Sequence, residues 1–226
     1  MTRVEQIGRA TLYLGSCEDI LPTLPRVDAA IVSDPPYGMK WNTNTARFSG
    51  GDASSVSRRG IGRTDWGAVS GDDKPFDPTP WLEWPEVVLF GSNHFAASLP
   101  VGTTLIWLKR KDGGFGSFLS DGEMAWRKGG HGVYARRDTS LAGQTRNRAH
   151  PTQKPVGIME WAIERAGKAS TIIDPYMGSG TTGVAAIQLG RNFIGVERET
   201  KYFEAACRRI EQAHNQGDMF IEGVAA

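Results

Sequence analysis

The stretch Ile172-Ile173-Asp174-Pro175-Tyr176-Met177-Gly178-Ser179-Gly180-Thr181-Thr182-Gly183 decides the fold. It reads as a short β-branched strand, a glycine turn, and the first residues of a helix, the punctuation of an α/β sheet that binds a nucleotide-like ligand. Gly178, Gly180 and Gly183 match the dinucleotide spacing G-x-G-x-x-G literally. Asp174 stands four residues before the first glycine, where a pyrophosphate would have to lie. A carboxylate there repels phosphate and attracts an ammonium group, so the ligand implied is a nucleoside with a cationic amino-acid tail, which describes S-adenosylmethionine. Glu197 closes the next apolar run, Phe193 to Val196, where a carboxylate accepts from ribose hydroxyls.

Outward from this centre the pattern repeats. Thr11–Leu14, Ala29–Val32, Val87–Phe90, Thr104–Trp107 and Thr171–Ile173 are short apolar runs of the kind buried in parallel sheets. Helical periodicity shows over Ile158–Ala166, Thr182–Leu189 and Tyr202–Ala213, the last with Tyr202, Ala205, Ala206, Arg209, Ile210 and Ala213 on one stripe. The alternation predicts a single α/β domain, a mostly parallel sheet with helices on both faces. Two stretches fall outside the layers, 42–73 and Gly129–Ala149, and both read as long functional loops.

Composition bounds the rest. The 226 residues are 39% hydrophobic and 23% charged, ordinary for a globular chain, with a formal net charge of +1. No apolar run reaches the roughly 20 residues of a membrane span, and the first residues lack a signal-peptide core, so a cytoplasmic location is expected. Cys17 and Cys207 cannot build a disulfide framework, and no Cys/His cluster has zinc spacing. The charge is uneven: from Lys109 to Arg148 nine basic residues face four acidic ones.

Two further motifs carry chemistry. Asp34-Pro35-Pro36-Tyr37 follows the strand Ala29–Ser33, beyond the carboxyl end of which a parallel sheet opens its ligand crevice. The prolines stiffen the turn. A stiff turn holding a carboxylate, a backbone carbonyl and an aromatic face suits a planar base with an exocyclic amine. His150-Pro151-Thr152-Gln153-Lys154-Pro155 enters a helix and precedes the glycine motif by about one helix length. By itself it reads equally as a Pro-punctuated helix start.

In this order, DPPY at 34–37, HPTQKP at 150–155 and DPYMGSGTTG at 174–183 resemble the β group of DNA amino-methyltransferases, and look most like small phage and prophage adenine methylases. Phe90–Phe95, Ser120–Trp126 and Gly190–Glu197 fit as well, so the resemblance runs from about Leu12 to Ile210 and is weakest over 42–75. It implies a seven-stranded sheet with a catalytic half at about 11–127 and a cofactor half at about 150–213. It also implies transfer of a methyl group from S-adenosylmethionine to the N6 amine of an adenine flipped out of double-stranded DNA. Asp34 and the Pro35 carbonyl would accept the amine hydrogens, with Pro36 stiffening the turn and Tyr37 stacking on the base. Gly178, Ser179, Gly180, Thr181 and Thr182 would wrap the methionine part with Asp174 near its ammonium, Tyr176 alongside, and Glu197 on the ribose. His150, Thr152 and Lys154 would line the same pocket. Relatives often have Gly-Asp near the cofactor adenine where this chain has Gly15-Ser16-Cys17, and Phe is usual at Tyr176.

Arg47, Arg58, Arg59 and Arg63 in the first loop, and Lys109, Arg110, Lys111, Arg136, Arg137, Arg146 and Arg148 in the basic stretch, are the expected DNA contacts. A chain this small covers little DNA, so recognition is short or shared with a second copy. Most of the seven tryptophans are expected in the core, with Trp41 and Trp66 in the polar loop. No metal is expected, and neither cysteine follows a proline as a carbon-5 methylase needs. The alternatives are cytosine-N4 methylation, a catalytically silent DNA-binding regulator, and a nicotinamide oxidoreductase.

Overall fold

In a computed structural model, residues 3–40, 71–116, 120–141 and 153–222 are described. The expected loop arginines Arg47, Arg58, Arg59, Arg63, Arg146 and Arg148, together with Trp41, Trp66, His150 and Thr152, lie outside them. Among the described residues eight strands form one sheet in the order β1-β2-β8-β7-β3-β4-β6-β5. They are β1 (Arg3–Ile7), β2 (Ala10–Leu14), β3 (Ala29–Ser33), β4 (Glu86–Phe90), β5 (Gly102–Leu108), β6 (Gly122–Arg137), β7 (Thr171–Asp174) and β8 (Asn192–Glu197). The run β2, β8, β7, β3, β4 is parallel, and β1 pairs antiparallel with β2 at the edge.

The expected seven strands thus become eight, and the longest of them bends double. Residues Gly122–Lys128 run antiparallel to β5, while Val133–Arg137 run alongside β5 in the opposite sense. Gly129 and Gly130, both at positive φ, make the bend. Gly129–Arg137 is therefore strand, not the loop its composition suggested. As an exposed edge it lacks the apolar alternation by which strands are read.

Period-two alternation sorts the core onto the two faces of the sheet. Ala30, Val32, Val88, Phe90 and Phe193 face one cluster, with α3 (Val156–Ala166), α4 (Thr181–Gln188) and α5 (Thr200–Glu222) packed on it. Ala29, Ile31, Val87, Leu89, Ile194 and Val196 face the other cluster. Among the described residues that second face carries only the single turns α1 (Cys17–Ile20) and α2 (Thr79–Leu82) and short 3-10 turns, so the expected helices on both faces are full length on one alone. The five described tryptophans, Trp81, Trp84, Trp107, Trp126 and Trp161, are buried.

Topology fixes where a ligand goes. From β7 the chain passes through α4 to β8 on one side; from β3 it passes to β4 on the other. The switch point lies between β7 and β3, and crevices in parallel sheets open at the carboxyl ends there.

Candidate active site

Asp34 and Asp174 meet at this switch point. Ser33 Oγ donates to Asp174 Oδ1 at 2.6 Å, joining the ends of β3 and β7. Asp174 also accepts from the Tyr176 backbone N–H at 3.1 Å and from Thr182 Oγ1 at 2.5 Å. It is 2% exposed. The carboxylate is turned inward and ties the glycine turn to its strand and helix. Burial pushes its pKa up to about 6, against the three hydrogen bonds.

That shift has a signed consequence. The folded pKa lies above the unfolded value, so between about pH 4 and 6 the native state binds the extra proton and stability falls as pH rises. Asp174→Asn keeps an acceptor for Ser33 and Tyr176 and an amide facing Thr182. Chemical denaturation of this variant should be flat where the wild type declines, by on the order of 2–3 kcal/mol across that window. Parallel curves would assign the shift elsewhere.

The glycine turn is shaped by positive φ at Gly178 (51°) and Gly180 (77°). A Cβ on Gly180 would meet Ala206 at 2.9 Å, so α5 packs directly on the turn. Arg209 of α5, which sequence reading gave no role, donates to Ser179 O at 2.5 Å, Ser179 Oγ at 3.0 Å and Thr181 Oγ1 at 3.1 Å. Ser179, Thr181 and Thr182 are buried, their hydroxyls serving the turn. Glu197 accepts the Glu199 N–H at 2.7 Å at the end of β8, and burial raises its carboxyl. Gly15 N–H donates to Glu197 O at 2.9 Å, bringing Ser16 and Cys17 to the same edge. Cys17 is buried, which lifts its thiol to about 11. Tyr176 packs edge-on to Phe76 and Trp81.

Around Asp34 lies a chain of charges. The Tyr37 hydroxyl donates to Asp34 Oδ1. Lys154 Nζ lies 2.5 Å from Asp34 Oδ2 and 2.9 Å from Glu123 Oε2, and Lys109 Nζ donates to Glu123 Oε1. Lys154 is 5% exposed, with its ammonium 4.9 Å from the Phe90 ring centroid. Burial pushes Asp34 up and Lys154 only partly opposes it; burial also acts on Lys154, but the two carboxylates hold it above the usual lysine range. Glu123 is held below the usual carboxylate range by Lys154 and Lys109, despite its own burial. Among the expected DNA contacts, Lys109 pairs with Glu123 in this chain of charges.

Tyr37 stacks on His94 with centroids 4.8 Å apart and planes 12° apart. His94, Glu123 and Asp72, like Arg209, had no role assigned from the sequence. Asp72 Oδ1 accepts from Gly38 N at 2.8 Å and Met39 N at 3.0 Å, and Lys40 N donates to Asp72 O at 2.8 Å. The two ends of the 41–70 segment are thereby fastened together beside the tetrapeptide. Gly91, at φ 70°, lets the backbone press on the Tyr37 ring: a Cβ there would lie 2.0 Å from Cε1. Gly91→Ala should cost about 2 kcal/mol in chemical denaturation from the left-handed φ and the clash, and should displace Tyr37 with a loss of turnover. A variant with wild-type stability and rate would show that this contact does not hold the ring.

Of the other expected DNA contacts, Arg110 lies 3.7 Å from Asp121 and donates to Gly114 O at 3.1 Å, and Arg137 pairs with Asp112. Lys111 and Arg136 are exposed. A cleft of about 450 Å³ is lined by Lys109, Arg110, Lys111, Gly114 and Thr139. Among the described residues no group of three or more His, Cys, Asp or Glu could hold a metal ion, and no helix is long and apolar enough to cross a membrane.

Residues 101–208 match a family model described as DNA methylase. The fold is that of solved DNA methyltransferases. A PvuII methyltransferase described as cytosine-N4-specific superposes with a TM-score of 0.55 at 14% identity, covering 95% of this chain and 96% of that one. The M1.HpyAVI complex with SAM gives 0.51 at 21% identity, over 88% and 99% of the two chains. The resemblance read from the three motifs is supported over residues 101–208, where the chain is similar to the DNA methylase family. Among named relatives, the Type II methyltransferase M2.MboI of Moraxella bovis is 45% identical over 64 residues, 28% of this chain and 23% of the relative. M2.DpnII of Streptococcus pneumoniae is 51% identical over 67 residues, 27% of this chain and 24% of the relative. The chain thus aligns with about a quarter of the length of these curated relatives.

Proposed function

We propose that the chain transfers a methyl group from S-adenosylmethionine to the N6 amine of an adenine flipped out of double-stranded DNA. One observation carries this reading: the Asp34–Tyr37 tetrapeptide and the glycine turn stand side by side at the switch point, linked by the Ser33–Asp174 hydrogen bond. An amine acceptor and a cofactor turn so placed bring the two reactants into one crevice.

The residues present fit the cofactor. Gly178 and Gly180 open the backbone around Ser179, and Glu197 at the end of β8 offers a carboxylate to ribose hydroxyls. Ser16, Cys17 and Tyr176 would border the adenine end, and Lys154, paired with Asp34, would line the same pocket. When bound, S-adenosylmethionine supplies a methyl carbon made electrophilic by its sulfonium. Asp34 Oδ1 takes an amine hydrogen in place of the Tyr37 hydroxyl, and the Pro35 carbonyl takes the other. Those two acceptors localise the amine lone pair and stabilise positive charge as it develops on nitrogen. Tyr37, whose ring already carries the stacked His94 imidazole, offers the same ring to the base.

Arg110, Lys111, Arg136 and Arg137, with Arg47, Arg58, Arg59, Arg63, Arg146 and Arg148, bind DNA phosphates. The enzyme works in the cytoplasm, and a homodimer extends the DNA covered. The motifs in this chain keep what a silent regulator would be free to lose, and Asp34–Tyr37 has no use in a nicotinamide oxidoreductase. The test is transfer of radiolabel from S-adenosylmethionine to unmethylated duplex DNA, with RNA and NAD+ as controls. Label is expected in duplex DNA alone; label in RNA, or tight binding of NAD+ with no transfer, would overturn the proposal.

A further inference from the structure

Glu123 reaches the site from β6, on a different element from Asp34, Lys154 and Lys109, and the four side chains alternate in charge. Lys154 Nζ is shared between Asp34 Oδ2 at 2.5 Å and Glu123 Oε2 at 2.9 Å, and Glu123 Oε1 is held by Lys109. A buried ammonium bound to Asp34 alone would neutralise the one carboxylate that must accept amine hydrogens. With a second carboxylate on its far side, that ammonium is divided, and Asp34 keeps its strength as an acceptor.

We infer that Glu123, anchored by Lys109, is a positioning residue that sets the basicity of Asp34 by drawing Lys154 toward itself. This rests on the methyl-transfer reading given above. As the N6–CH3 bond forms, the S–CH3 bond breaks with its electron pair going to sulfur, and the surplus proton on N6 passes to Asp34. Asp34 must therefore be ionised before transfer yet basic enough to receive a proton, and the groups facing it tune this balance. Lys154 lowers its proton affinity and Glu123 raises it. The Tyr37 hydroxyl donates to it from its own turn, and Asp174 lies beyond Ser33 on β7. Asp72 faces Tyr37 from the strap after the 41–70 segment, and His94 stacks on it.

The test has two readouts, one of them independent of any substrate. First, the Asp34 carboxyl is titrated by NMR in the full chain carrying 13C-labelled aspartate, its signal assigned by its loss in Asp34→Asn. Glu123→Gln should lower the Asp34 midpoint by about one pH unit or more, because the raising charge has gone while Lys154 stays. Second, the pH profile of single-turnover transfer should move its acid limb down by the same amount, with the plateau rate falling about tenfold and S-adenosylhomocysteine affinity unchanged. A role confined to structure would lower the melting temperature and leave both midpoints where they are. Should Glu123→Gln fail to fold, Glu123→Asp keeps the charge but withdraws it, and a smaller shift in the same direction is expected. Unchanged Asp34 titration in the variant that folds would overturn the inference. A wild type that titrates as described but transfers no label to DNA would overturn the proposed reaction and leave the charge chain standing.

Discussion

Asp34→Ala should lower single-turnover methyl transfer by about 10²–10³-fold or more, while S-adenosylhomocysteine binds within a few-fold of wild type. The adenine amine is a poor nucleophile because its lone pair is delocalised into the ring, and a preplaced acceptor is what localises it. Asp34 lies at the end of β3, whereas the glycine turn follows β7, so removing its carboxylate leaves the cofactor side intact. The loss should therefore appear in the chemical step and not in cofactor affinity. Isothermal titration beside rapid-quench transfer separates the two. Near-normal turnover by the variant would remove Asp34 from the reaction.

Lys154→Met should produce the largest loss of stability in the site. The ammonium sits between two carboxylates whose side chains are 20% and 27% exposed, and its removal leaves both facing one another in a buried space. Breaking such an arrangement from one side costs about 3 kcal/mol, because Asp34 loses its cation without regaining water and Glu123 is left with Lys109 alone. The pH dependence follows. In the variant, burial and repulsion from Glu123 raise the folded-state pKa of Asp34 further above its unfolded value, so the deficit shrinks as pH falls and grows toward neutrality. Denaturation at pH 5 and pH 8 measures it, and an unchanged midpoint at pH 8 would show that Lys154 is not holding the pair.

The parts of the fold that could be read were those buried on both sides. β3, β4, β7 and β8 announce themselves as short apolar runs because a parallel strand under helices or loops has no solvent face to encode. The stripe Tyr202, Ala205, Ala206, Ile210, Ala213 predicted α5 for the same reason, one face against the core. β1 escaped notice because its sequence Arg3-Val4-Glu5-Gln6-Ile7 is an exposed edge held mainly by backbone pairing with β2, with Val4 half exposed. The outer leg of β6 escaped for a similar reason, and its glycine bend looked like loop composition.

The site divided along a different line. Asp34, Tyr37 and Lys154 lie in contiguous motifs whose stiffness and spacing carry meaning in one dimension. Glu123 and Lys109 acquire theirs only when β5 and β6 lie side by side. Glu123 belongs to a stretch that suggested kinship without a role, and Lys109 reads as one more cation in a basic run. A signal did exist: a carboxylate two residues before the buried pair Ala125-Trp126, at the start of a strand, implies a cation waiting for it. Asp174 was legible beside the turn, but its hydrogen bonds to Ser33 and Thr182 appear only once β3 and the helix after the turn are packed against it.

The most direct test of the whole account is mass spectrometry of nucleosides digested from unmethylated duplex DNA after incubation with the purified chain and isotopically labelled S-adenosylmethionine. Labelled N6-methyladenine is the expected product, absent when Asp34→Ala replaces the wild type. N4-methylcytosine would keep the crevice and move the base, whereas no labelled nucleoside from a chain that binds the cofactor would contradict methyl transfer to DNA.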